Sequence, residues 1–402
     1  EEEMIRVFSE TKPLEEVILH RPGKELLNLM PDMLEELLFD EIPYLDKAIE
    51  EHDAFAEIFR NNGVKVLYLE DLAAEAIKAG DVKEDFIDEF IKEAHVFRDD
   101  EVKYLKDFLK DLDEKELVLK TMEGIRREDM PKVNGGRLTD FVARDDYFLT
   151  KPMPNLYFTR DPFSLMGTTV SLNKMWSDIR NRETIYGKYI FKHHPDFLGT
   201  EFVYYRDEKF SIEGGDELII NEDTIAIGIS QRTDAKAVEI IAENILKKGE
   251  FKNVLAFVIP KKRAFMHLDT VFTMIDEDVF TVHPEIEGPL EVYRMTLDGS
   301  KVVVDRIEGN LEAILSKALH KDHIKVIRCA GGNPIDASRE QWSDGSNTLA
   351  IKPGEVIVYD RNTVTNEVLD KEGIKLHVMV SGELSRGRGG PRCMSMPVKR
   401  SL

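Results

Sequence analysis

Apolar residues along this chain fall into two spacings. Near the N-terminus, Glu16-Val17-Ile18-Leu19-His20 reads as a buried strand closed by Arg21-Pro22-Gly23. A helical pattern over residues 48–60 follows, then a turn at Asn62-Gly63 and a second strand over 64–69. Strands alternating with helices predict an α/β architecture. From about residue 72 to 130 the period changes. Phe86, Ile87, Phe90, Ile91 and Ala94, then Val102, Leu105, Phe108, Leu109 and Leu112, recur at helical spacing, and Leu117-Val118-Leu119 gives the first strand signal after them. The pattern predicts an all-helical insertion over 73–148 within an α/β unit formed by 1–72 and 149–402.

The remainder carries a degenerate internal repeat: an acidic or amide residue, an apolar strand, a tight turn and a second apolar strand. Copies begin at Asp161, Asp216, Asp269 and Asn347, at intervals of 55, 53 and 78 residues. Units of this size cannot bury an apolar face alone and pack around a shared axis. A ring of them would bring three aspartates and an asparagine together. An Asp or Asn opening a strand after a turn is the plainer explanation for any one copy, and four copies with polar clusters upstream argue against it.

Charge narrows the class. The chain has 402 residues and a net charge of −22; residues 1–72 carry 7 basic and 19 acidic side chains, 73–130 carry 11 and 18, and the rest 37 and 40. An acidic surface repels a phosphate backbone, so no nucleic-acid partner is expected. No apolar run approaches the ~18 residues of a membrane helix, so no membrane partner is expected either. No signal peptide is visible, and only two cysteines, Cys329 and Cys393, occur in so large a chain, which points to a reducing cytoplasm.

Three clusters precede the repeat strands: Asn155-Leu-Tyr-Phe-Thr-Arg-Asp161, Glu213-Gly-Gly-Asp216 and His267-Leu-Asp269. Near the C-terminus, Cys393 follows the loop Ser385-Arg-Gly-Arg-Gly-Gly-Pro-Arg392. Neighbouring arginines favour a thiolate, the nucleophilic form, and glycines let the backbone approach closely. Cys329, inside an apolar run, reads as structural. His267, Asp269, His193 and His194 lack metal-site spacing. Glu213-Gly-Gly-Asp216 lacks the lysine and glycine pattern of a phosphate loop, and no G-x-S-x-G elbow is present. Carboxylates around a thiol make sense when the substrate brings positive charge. A guanidinium, planar and bonded bidentately by carboxylates, fits that requirement. Asp161 and Asp269 would hold it before Cys393, and His267 would move the protons.

Taken in order, these motifs resemble arginine deiminase nearly end to end. Further matching segments are Glu36-Leu-Leu-Phe-Asp40, Arg180-Asn-Arg182-Glu183-Thr, Ser230-Gln-Arg232-Thr233, Asp344-Gly-Ser-Asn347 and Cys393-Met-Ser-Met-Pro397. The resemblance implies a five-bladed, pseudo-symmetric α/β propeller of the pentein type with an inserted all-helical domain. It implies hydrolysis of L-arginine to L-citrulline and ammonia, the first step of arginine catabolism, with no metal or organic cofactor, by a cytoplasmic homo-oligomer, dimeric or higher. Cys393 would be the nucleophile, His267 the acid and base, Glu213 its orienting partner, and Asp161 and Asp269 the guanidinium-binding pair. Arg180 and Arg232 would bind the α-carboxylate, with Arg182 the alternative to Arg180. Asn155, Phe158, Gly387 and Arg388 would line the amino-acid end, and Asp216 would orient an arginine.

Overall fold

The computed structural model describes residues 3–131, 137–142, 146–262, 265–286 and 288–402. Strand β1 (Leu14–Leu19) leads through α1 (Leu45–Asn61) to β2 (Lys65–Tyr68), which lies parallel to it. Four helices follow: α2 (Leu69–Gly80), α3 (Lys83–Glu93), α4 (Asp99–Lys110) and α5 (Glu114–Glu123). A ribbon of β3 (Ile125–Arg126) and β4 (Phe148–Thr150), with the short α6 (Leu138–Phe141) between them in sequence, leads onward.

The strand signal at Leu117-Val118-Leu119 resolves as helix. Asp113 caps α5 by accepting from the Glu116 amide while Glu116 returns to the Asp113 amide, which satisfies two otherwise unpaired donors. Leu117, Val118, Thr121 and Met122 then form its buried face. Three consecutive apolar residues fit either element, and the cap decides.

From residue 161 one pattern recurs. An antiparallel hairpin is followed by a helical crossover to a third strand parallel to the second. It comprises β5 (Phe163–Met166), β6 (Thr169–Leu172), α7 (Asp178–Asn181), α8 (Thr184–His193) and β7 (Phe202–Tyr204). Next come β8 (Glu217–Asn221), β9 (Thr224–Ile229), α9 (Ala235–Lys248) and β10 (Asn253–Val258). In the third, α10 (Leu268–Val271) opens into β11 (Phe272–Asp276) and β12 (Val279–Val282). An extra hairpin of β13 (Glu291–Asp298) and β14 (Lys301–Ile307) adds to the edge of β10, before α11 (Leu311–Ala318) and β15 (Lys325–Arg328) complete the unit. After α12 (Pro334–Trp342), the fourth has β16 (Leu349–Lys352), β17 (Glu355–Tyr359), α13 (Thr363–Lys371) and β18 (Lys375–Met379). The extra hairpin and α12 account for the long third interval.

A fifth sheet has the same strand pattern from distant pieces: β19 (Met396–Arg400) pairs antiparallel with β1, and β1 parallel with β2. Asp161, Asp216, Asp269 and Asn347 each stand one to three residues ahead of a hairpin. Strands β5 and β6 are buried throughout, as sheets covered on both faces require. Phe86, Phe90, Leu105, Leu109 and Leu117 share one apolar cluster with Ile185 and Ile190 of α8 and with Phe163 and Val170. Each such buried side chain contributes roughly 1.5–3 kcal/mol. Among the described residues no helix is long and apolar enough to cross a membrane.

Candidate active site

The loops that enter the five sheets are tied to one another. The Gly215 amide donates to Asp161 Oδ1 at 3.0 Å, and the Leu268 amide to Asp216 Oδ1 at 2.8 Å. Asn347 Nδ2 donates to the Asp269 carbonyl at 3.3 Å, and Asn347 Oδ1 accepts from the Cys393 amide at 3.2 Å. The Cys393 carbonyl then accepts from the Arg160 amide at 3.1 Å, which returns the series to its start. Close approach explains the glycines. A Cβ on Gly214 would lie 1.8 Å from the Arg160 carbonyl oxygen, one on Gly215 2.5 Å from His267 Nδ1, and one on Gly390 2.2 Å from the Asn347 carbonyl oxygen.

A cavity of about 510 Å³ opens where these loops meet. Its wall includes Asn155, Phe158, Asp161, Arg180, Arg232, His267, Gly387, Arg388 and Cys393. Glu213, Asp216 and Asp269 lie behind the wall, each fully buried. The Cys393 thiol donates to Asn347 Oδ1 at 3.3 Å and lies 3.8 Å from Asp269 Oδ2. Asp269 Oδ2 also accepts from Arg392 Nη1 at 3.1 Å, while its Oδ1 has no hydrogen-bond partner among the described residues. His267 Nε2 donates to Glu213 Oε1 at 2.8 Å; the same oxygen takes Arg232 Nη1 at 3.2 Å, and Glu213 Oε2 accepts from the Trp176 amide at 3.1 Å.

Charges set the protonation states. Burial opposes a charged imidazole at His267, but the Asp161 carboxylate, the hydrogen bond to Glu213 and the Asp216 charge outweigh it and raise its pKa to about 9. Burial also works against a charged Glu213, yet the Arg232 guanidinium and His267 hold it well below the usual carboxylate range. Cys393 is shifted the other way: burial first, then Asp269, Asp161 and Asp344, push the thiol well above its ordinary value. In the free protein the pair is a neutral thiol and a charged imidazole.

Asp216 acts on an arginine only through the chain: among the described residues it touches none directly, Oδ1 holding the Leu268 amide and Oδ2 taking Ser230 Oγ at 2.7 Å and Thr233 Oγ1 at 2.6 Å. It fixes the 230–233 loop that carries Arg232 and the segment that carries His267. Arg182 is spent on main-chain carbonyls of Ile179, Lys151 and Pro152, away from the cavity. Arg180 is on the wall, with Nε and Nη2 on Glu183 at 2.9 and 3.2 Å and Nη1 3.5 Å from Asp161 Oδ2. Arg232 also lies 5.4 Å from the Trp176 ring. Asn155 Nδ2 is anchored on the Leu37 carbonyl, and the Phe158 ring packs against Gly389. Arg388 adopts a left-handed backbone (φ 62°), stacks on Trp342 at 3.6 Å and meets Asp40 at 3.4 Å.

Sequence reading left out Glu183, Trp176, Asn347 as a thiol partner, and Arg392 as a ligand of Asp269. Asn347 could have been found, since it occupies the fourth repeat position. Cys329 is buried against Thr365 at 3.3 Å, with its thiol pushed up to about 12 by burial; neither cysteine is disulfide-bonded. Ligand atoms of Asp161, Glu213 and His267 lie within 4.8 Å of one another. Their carboxylates are already neutralised by Arg180 and Arg232, so the donor set reads as an ion-paired acid–base cluster rather than a metal cradle.

By fold the chain is similar to α/β proteins of known structure. An amidinotransferase from the saxitoxin biosynthetic pathway of Microseira wollei superposes with a TM-score of 0.57 at 15% identity, over 99% of this chain and 98% of that one. A dimethylarginine dimethylaminohydrolase from Pseudomonas aeruginosa, solved with citrulline, gives 0.54 at 13% identity, over 96% and 99%. The sequence is more specific. The family model described as arginine deiminase matches residues 35–400. Arginine deiminases of Streptococcus sanguinis (strain SK36) and Streptococcus pneumoniae (strain Hungary19A-6) are 54% identical over 401 and 402 residues, 98% of each chain. The chain belongs to the arginine deiminase family.

Proposed function

We propose that this protein hydrolyses L-arginine to L-citrulline and ammonia through a covalent intermediate on Cys393. One observation carries the reading: a thiol, an imidazole charged by neighbouring carboxylates, and Asp161 meet at one cavity, with Asp269 Oδ2 3.8 Å from the thiol and Asp269 Oδ1 without a hydrogen-bond partner among the described residues. Asp161 and Asp269 take the N–H groups of the guanidinium and place its carbon before Sγ. The arriving positive charge offsets the carboxylates that hold the thiol neutral, so substrate binding itself favours the thiolate. The thiol releases its proton to solvent through the cavity, and Sγ bonds to the guanidinium carbon. His267 gives its proton to the departing nitrogen, the C–N bond breaks, and ammonia leaves an amidino-thioether. His267, now neutral, takes one proton from water as the water oxygen adds to the same carbon; the C–S bond breaks, the oxygen's remaining proton passes to Sγ to restore the thiol, and citrulline departs. Glu213 keeps the imidazole oriented and charged, and Arg232 and Arg180 receive the α-carboxylate. No step requires a metal or an organic cofactor.

The strand pattern shared by five sheets, and the hydrogen bonds that return from Cys393 to Arg160, support an arrangement as blades of a pseudo-symmetric five-bladed propeller. Residues 1–72 and 149–402 would form it, with 73–148 as the helical insertion. We place the enzyme in the cytoplasm as a homo-oligomer acting first in arginine breakdown. Incubation with L-arginine should release citrulline and ammonia in equal amounts, and Cys393→Ala should release neither. Equal rates from the two proteins would overturn the assignment.

A further inference from the structure

The guanidinium-binding carboxylate Asp269 is held by Arg392, and Arg392 is held by a residue at the far end of the chain. Glu10 Oε1 accepts from Arg392 Nε at 2.9 Å, and Glu10 Oε2 accepts from the Ile219 amide at 3.0 Å. Arg392 is 1% exposed and spends its remaining nitrogens on Asp269 Oδ2 at 3.1 Å and the Glu217 carbonyl at 2.9 Å. Residue 10 lies ahead of the segment 35–400 that defines the family match.

We propose that Glu10 is a positioning residue for arginine binding: by fixing Arg392 through Nε, it limits that guanidinium to one oxygen of Asp269 and leaves the other for substrate. The inference rests on the guanidinium role of Asp269 given above. Three arginines crowd this place. Arg160 and Arg400 also act on Glu10, Arg160 Nε reaches the Arg392 carbonyl at 3.2 Å, and Arg400 is bound to the carbonyls of Lys12 and Ala350. Glu217, the other nearby carboxyl, is raised to about 7 by burial and is occupied by Ser171 and Asn173. Glu10 and Asp269 therefore supply the counter-charge for Arg392. A planar guanidinium released from one carboxylate turns to bind the other with two parallel hydrogen bonds. Without Glu10, Arg392 would take both oxygens of Asp269, and substrate would lose its partner.

The test uses the full chain and two readouts. Glu10→Gln should raise KM for L-arginine about tenfold with kcat within about threefold, while Glu10→Asp, which keeps the charge, should recover most of the loss. Because Glu10 acts through Arg392, the double variant Glu10→Gln/Arg392→Gln should match Arg392→Gln alone within about twofold. The second readout needs no turnover. Losing the Glu10 charge leaves Arg392 less compensated beside Cys393, so the pH midpoint of Cys393 alkylation by iodoacetamide should move down. A protein merely loosened would be alkylated faster at every pH with Cys329 labelled as well. Wild-type KM and midpoint in Glu10→Gln, an additive double variant, or Glu10→Asp as impaired as Glu10→Gln would each overturn the proposal. If wild type formed no citrulline, the assigned reaction would fall, and the alkylation midpoint would still decide whether Glu10 sets the charge at Arg392.

Discussion

His267 Nε2 lies 2.8 Å from Glu213 Oε1 inside a cluster that keeps the imidazole charged. Its folded pKa of about 9 exceeds the ordinary 6.5, so the folded state binds the extra proton more tightly. The resulting stability is fully present below pH 6.5 and is lost as pH rises through 9. Urea unfolding of wild type should lose on the order of 2–3 kcal/mol more than His267→Asn between pH 6.5 and 9.5. Parallel curves for the two proteins would contradict the charged resting state.

The thiol gives a second pH signature. Because burial and then Asp269, Asp161 and Asp344 raise Cys393, iodoacetamide should label the free protein slowly at pH 7 and increasingly above pH 9. Cys329, pushed up to about 12, should stay unlabelled throughout. Rapid labelling of Cys393 at pH 6 would show a resting thiolate.

The carboxylate role proposed for Arg232 predicts that it separates arginine from its decarboxylated analogue. Arg232→Ala should raise KM for L-arginine by roughly 10- to 100-fold, the cost of one charge-assisted pair. Agmatine, which has no carboxylate, should be processed equally poorly by both proteins. Matched losses on the two substrates would mean that Arg232 serves chiefly as the Glu213 counter-charge seen at 3.2 Å.

Adjacent glycines should fail in different ways. A methyl on Gly215 meets the His267 ring at 2.5 Å, whereas one on Gly214 meets a main-chain oxygen at 1.8 Å. Gly215→Ala should keep a native melting transition and lose activity 10²-fold or more, on the scale of a displaced acid–base group. Gly214→Ala should lower the melting temperature and soluble yield. Circular dichroism melts beside citrulline assays distinguish the two, and a fully active Gly215→Ala would contradict the imidazole contact.

Hairpins beginning near Asp161, Asp216, Asp269 and Asn347 were legible because each is a local pattern of apolar residues around a turn. The fifth sheet was not: β19 and β1 are joined across almost the whole chain, and no local periodicity encodes that pairing. Leu117-Val118-Leu119 misled because the capping box at Asp113, rather than the apolar run, selects helix. At the site, residue types at repeat positions pointed to the loops that converge. Partnerships did not follow from spacing. Arg180 and Arg182 differ by two positions, yet one faces Asp161 and the other main-chain carbonyls. Asp216 carries a carboxylate like Asp161, but its hydroxyl and amide partners make it a support for two loops.

Covalent catalysis by Cys393 is the claim on which the rest depends. Acid quenching during turnover of L-arginine, followed by mass analysis of the peptide containing Cys393, tests it directly. An adduct with the mass of arginine less ammonia should appear on that peptide and vanish when substrate is exhausted. Citrulline formed at the wild-type rate by Cys393→Ala, with no adduct on Cys393 in wild type, would contradict the account.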